Sequence, residues 1–150
     1  MKKSARITAY VSQMEPQVDE SLDPHYTGYF QLFNEQKYYE AHDVLEHLWL
    51  KQKDANYHFF KGLIQVAGAF VHLQKQHLHP THAKHGRRLG PASRLFKLAM
   101  HNLESYRPHY MHLDVEALHQ LCAKHAEEII RSDFQHNPLR PSHPPRLSLN

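Results

Sequence analysis

His42, Glu46 and Trp49 are the residues whose types and spacing could do chemistry. They stand four and then three positions apart in Tyr38-Tyr39-Glu40-Ala41-His42-Asp43-Val44-Leu45-Glu46-His47-Leu48-Trp49, a stretch without Gly or Pro. Read as a helix of about 3.6 residues per turn, the three fall on one stripe. Leu45 shares the stripe and Leu48 lies beside it, so this face should turn toward a core. A His and a Glu one helical turn apart can bring their tips to one divalent ion. Glu46 could alternatively act as the catalytic general base on a metal-bound water. The same residues also suit a structural network that Trp49 covers, because buried polar groups need partners and fix helix register.

Further ligands would have to come from elsewhere in the chain. Gln65 and His72 stand seven residues apart in an otherwise apolar helix, two turns along one face. With His42 and Glu46 they would complete a His/Glu/His set plus water, suited to zinc or a similar divalent ion. Trp49 would be the pocket wall. Asp43 lies about 100° round the helix from His42 and is the poorer candidate ligand. Arg94 falls in the first turn of a later helix, where a cation opposes the helix dipole unless paired, and Glu46 is a candidate ion-pair partner. No residue pattern assigns a substrate or a reaction, so whether the chain is an enzyme stays open at this stage.

These residues need helices to carry them. Tyr26, Tyr29, Phe30 and Phe33 have helical spacing over 25–34. The motif helix follows over about 38–50, after a turn at Asn34-Glu35-Gln36. A third, apolar most of the way round, spans about 57–76, with Leu63, Val66, Ala67, Phe70 and Leu73 inward. Pro91 suits the first turn of a fourth helix over about 92–106. Asp114 should cap a fifth reaching about Arg131, with Val115, Leu118, Leu121, Cys122 and Ile129 inward. No strand is expected. The architecture is all-α: an antiparallel bundle of about five helices over 25–133. Residues 1–24 read as a disordered N-terminal arm with a short helical piece near Ile7–Met14, and the Pro-rich residues 134–150 as a disordered tail. Between the third and fourth helices, residues 77–90 read as an inserted, solvated, basic, His-rich loop whose His spacing matches no zinc pattern.

Composition narrows the function classes. The chain has 150 residues, 41% hydrophobic and 22% charged, enough for one domain with a core. A formal charge of +3 is too mild to imply nucleic-acid binding by itself. The 16 His residues make the chain far more cationic in mild acid. Cys122 is the single cysteine, which excludes an internal disulfide, fits a reducing compartment and reads as a core residue. No signal-peptide h-region and no apolar run of membrane-spanning length is found, so a cytoplasmic location is expected.

Phe33-Asn34, the segment Tyr39 to Trp49, and Lys61-Gly62-Leu63-Ile64-Gln65-Val66-Ala67 together resemble the domain-of-unknown-function family 309 of bacteria and archaea. His42, Glu46 and Trp49 fit its His-x-x-x-Glu-x-x-Trp/Tyr signature, and Gly62 to Gln65 fit the Gly-Leu-Ile-Gln helix that often follows. The resemblance covers about 30–71 and, more loosely, the helix after Pro91; His77 to Leu89 departs from it as an insertion. It implies a compact helical bundle, a divalent metal held by His42 and Glu46, and a metal-dependent hydrolase. Beside that reading stand a non-catalytic interaction or scaffolding module, with His42-Glu46-Trp49 as a structural network and a homo-oligomer compatible with it, and third, nucleic-acid contact through Arg87, Arg88, Arg94 and the basic loop.

Overall fold

The computed structural model describes residues 3–12, 21–83 and 87–150. Six helices follow one another: α1 (Lys3–Ser12), α2 (Pro24–Asn34), α3 (Tyr38–Lys51), α4 (Tyr57–Leu78), α5 (Leu89–Leu103) and α6 (Val115–Arg131). Each of α2 to α6 packs on its neighbour in sequence, the order that an antiparallel bundle with short connections produces. α1 lies against α2 and α3, so the arm is ordered over Lys3–Ser12 where disorder was expected; the helix begins earlier than the expected piece at Ile7–Met14, whose end lies outside the described residues.

Local chemistry sets several of these boundaries. Asp23 caps α2 by accepting from the His25 backbone N–H, and Pro24 takes the first helical position, where its missing N–H costs nothing. Asp114 caps α6 through the Ala117 N–H at 2.9 Å. α3 carries Glu40 in its first turn and Lys51 in its last, both favoured by the helix dipole.

The core is aromatic at its centre. Tyr26, Tyr29, Phe30 and Phe33 of α2 are buried against Tyr38, Phe59, Phe60, Phe70 and Phe96. Edge-to-face pairs such as Phe33–Phe70 and Phe70–Phe96, with ring centroids 5.2 and 5.4 Å apart, interlock α2, α4 and α5. Every large side chain fully buried here contributes on the order of 1.5–3 kcal/mol. The Tyr29 hydroxyl enters this core only because it donates to the Leu63 carbonyl at 2.6 Å. At Gly62 a Cβ would stand 2.8 Å from Leu103 Cγ, so α4 and α5 approach more closely there than any larger residue allows.

Two further expectations need correction. A two-residue antiparallel ladder joins β1 (His109–Tyr110) to β2 (Leu113–Asp114), where no strand was expected. Met111 and His112 turn it with φ of 46° and 67°, the two left-handed residues of a tight hairpin. Two residues per strand are too few for alternation to register in a sequence. The second correction is the C-terminal segment, which follows a defined path across the bundle instead of being disordered. Leu139, Leu147 and Leu149 are buried. Side-chain amides tie it to the bundle: Asn137 of the segment donates to the Leu73 carbonyl of α4 at 2.8 Å, and Gln36 donates to the Pro141 carbonyl of the segment at 3.1 Å. Asn34 donates to the Leu147 carbonyl at 2.7 Å and accepts its N–H at 2.8 Å. Leu149 then bridges to Leu113 at the hairpin.

The expected loop is shorter than 77–90, since α4 runs to Leu78 and α5 begins at Leu89. His77 to Ala83 are exposed, as a solvated loop requires, while Lys84, His85 and Gly86 lie outside the described residues.

Candidate functional site

α1 packs on the Asp43 flank of α3, beside the motif face. Asp43 is 5% exposed and lies under Lys3, whose Nζ stands 3.4 Å from Asp43 Oδ1 and donates to Glu46 Oε1 at 3.2 Å. His42 sits between the two carboxylates, with Nδ1 3.1 Å from Asp43 Oδ1 and Nε2 3.6 Å from Glu46 Oε2. Four side chains therefore form one connected group, with an ammonium in contact with both acids. The bond to Glu46, followed by the fields of Asp43 and Glu46, raises the Lys3 pKa against the opposing effect of burial. Beside the group opens a cleft of about 120 Å³ lined by Arg6, Ile7, Tyr39, Glu40, Asp43 and Val44.

The other candidate ligands have partners elsewhere. Gln65 accepts from Asn102 of α5 at 2.7 Å. His72 has its Nδ1 3.2 Å from Arg88 Nη1, also on the α5 side of α4. Burial, then the nearby charges of Arg88, Lys75 and Arg94, lowers the His72 pKa, so its ring is neutral at pH 7. Among the described residues, no group of three or more His, Cys, Asp or Glu side chains is arranged to hold a metal ion.

Trp49 is half-buried and packs on Tyr57 across the α3–α4 connection, ring centroids 5.2 Å apart. Arg94 is exposed on the His72 side, and the cation that pairs with Glu46 is Lys3. Reasoning from the sequence missed both Asp43 as a central residue and Lys3 as its partner. A position 100° round from His42 seemed turned away, but α1 packs on that flank and buries it. No periodicity links residue 3 to residue 43, so the ion pair left no local trace.

Residues 26–83, from Tyr26 in the first turn of α2 through the motif helix and all of α4, match one family model. That model is the one for the domain of unknown function DUF309, and it covers 58 of the 150 residues. The family that the motif pair resembles is thus the one whose model matches this segment. The DUF309 segment holds His42, Asp43, Glu46, Trp49, Gln65 and His72, whereas Lys3 and Arg94 lie outside it. No curated protein and no solved structure matches the chain.

Cys122 is buried, as expected of a core residue, and burial pushes its thiol up to about 12, so no nucleophilic role falls to it. No helix among the described residues is long and apolar enough to cross a membrane.

Proposed function

We propose that this chain is a non-catalytic helical interaction module of the cytoplasm, in which the His42-Asp43-Glu46 group serves to lock α1 onto α3. The observation that carries this reading is the position of the Lys3 ammonium, in contact with both Asp43 and Glu46. It neutralises the one buried carboxylate of the group from within the chain, which meets the demand that a buried charge be paired. The surface offered to a partner is an apolar groove between α5 and α6, about 420 Å³, lined by Met100, Ala123, Ala126 and Ile130. Lys97 stands at its rim, where Glu127 and Arg131 pair with each other, so the apolar floor is what a second copy of the chain related by a two-fold axis would cover.

A second reading, a divalent-ion site, has one observation in its favour: two carboxylates already converge on a single cation. The donor set is compatible with an ion in place of Lys3, held by Asp43 and Glu46. His42, engaged with both acids, would orient them, and the ion would supply Lewis-acid chemistry. The two readings part in one experiment, elemental analysis and thermal melting of wild type, Lys3→Ala, His42→Ala and Glu46→Ala with and without chelator. The lock predicts no stoichiometric metal in any of them. It predicts Tm losses of about 1–4 °C, the scale of a half-exposed ion pair in a chain of this size, indifferent to chelator. One equivalent of metal in wild type that disappears with Glu46→Ala, with a chelator-sensitive Tm, would establish the ion site instead.

A further inference from the structure

The loop side of the bundle carries a second cleft unrelated to the motif. It measures about 680 Å³, within the range of small-ligand sites, and is lined by Arg87, Arg94, Gln76, Leu89, Phe134 and Gln135 among others. We propose that this cleft binds a nucleotide unit, its phosphates on Arg87 and Arg94 and its base against Phe134.

The charge of the cleft has no internal counterpart. No carboxylate lines it, and neither Arg87 nor Arg94 has an ion-pair partner among the described residues. Arg88 is turned the other way, bonding inward to His72, and its backbone N–H donates to Gln76 Oε1 at 2.7 Å. Two guanidiniums line one cleft with no acid in its wall, and a phosphate is the ligand whose geometry a guanidinium fork matches.

The aromatic wall is an independent observation. Asp133 and Phe134 both adopt left-handed backbone, φ 56° and 61°, at a helix end where glycine is usual. For a residue with a Cβ that conformation costs roughly 1–2 kcal/mol. It is held because the Phe134 N–H donates to the Ile129 carbonyl at 2.9 Å, completing the α6 cap. The result is a phenyl ring 45% exposed on the wall of a cationic cleft, where burial would otherwise be expected. Strain that leaves an aromatic face open beside unpaired guanidiniums is the arrangement that stacks a base while its phosphates are held.

The test uses the full chain and three probes: ATP, a short single-stranded oligothymidylate, and inorganic pyrophosphate, with affinity read by calorimetry or fluorescence anisotropy. Arg94→Ala should weaken all three. Phe134→Gly suits the left-handed backbone and removes only the ring. It should weaken ATP and the oligonucleotide roughly tenfold, the scale of one lost stacking contact, and leave pyrophosphate unchanged. Tighter binding of the oligonucleotide than of ATP, falling steeply with salt, identifies a nucleic-acid strand as the source; ATP bound as tightly or more so identifies a free nucleotide. No binding of ATP or oligonucleotide by wild type at millimolar concentration, or affinities indifferent to both substitutions, overturns the proposal. So does a Phe134→Gly effect as large on pyrophosphate as on ATP.

Discussion

His125 is a titratable ring placed where titration is costly. It is buried in α6, its ring centroid 5.5 Å from those of Phe70 and Phe96. Burial lowers its pKa, outweighing the opposite pull of Glu128, while Lys124 adds to the depression. Above its ordinary value near 6.5 the imidazole is neutral whether the chain is folded or not, and it contributes no pH dependence. Below that value the unfolded chain takes up the proton first, so stability falls as pH drops toward the folded pKa. His72, lowered for a similar reason, acts in the same direction. Urea melts between pH 7 and pH 5 should show this fall, and His125→Leu should flatten it. An unchanged slope would show that the pH dependence has another origin. At this scale the sequence was legible where a side chain's environment comes from its own helix. Leu63, Val66, Ala67, Phe70 and Leu73 are all buried as their spacing implied. Asp43, Gln65, His72 and Arg94 were not legible, because each takes its surroundings from another element.

The helices themselves were readable to within a few residues. Aromatic spacing located α2, the unbroken motif stretch α3, and the nearly all-round apolar pattern α4. α5 starts at Leu89, earlier than Pro91 suggested, because Pro tolerates any of the first helical positions and does not mark the first alone. The hairpin lay below the length at which periodicity speaks. The α5–α6 groove also belongs to this scale, since neither helix's own pattern reveals a groove between two. If a second copy docks there, wild type should sediment as a dimer at high micromolar concentration. Ile130→Glu, at a site already partly exposed, should shift it to monomer, weakening association by at least tenfold without lowering Tm. A wild type that remains monomeric, or a variant that still dimerises, would remove the groove from the interaction reading.

Across the whole molecule the C-terminal segment joins parts that are distant in the chain. Asn34 and Leu147 are 113 residues apart, and their paired bonds hold the C-terminal segment on the outside of the bundle. Composition alone marked this segment as unstructured, since amide recognition of a backbone requires no pattern within the segment itself. Replacing Asn34 by Ala leaves the Leu147 backbone without those partners, at a cost of about 1–3 kcal/mol. Hydrogen exchange or limited proteolysis should then show residues 134–150 losing protection while α2 to α6 keep theirs; equal protection in the variant would mean the apolar contacts of Leu139, Leu147 and Leu149 suffice. Cys122, the only sulfhydryl in the chain, lies sealed inside α6. An alkylating reagent can reach it only when the packing around α6 opens, so its modification rate is a built-in clock for that opening.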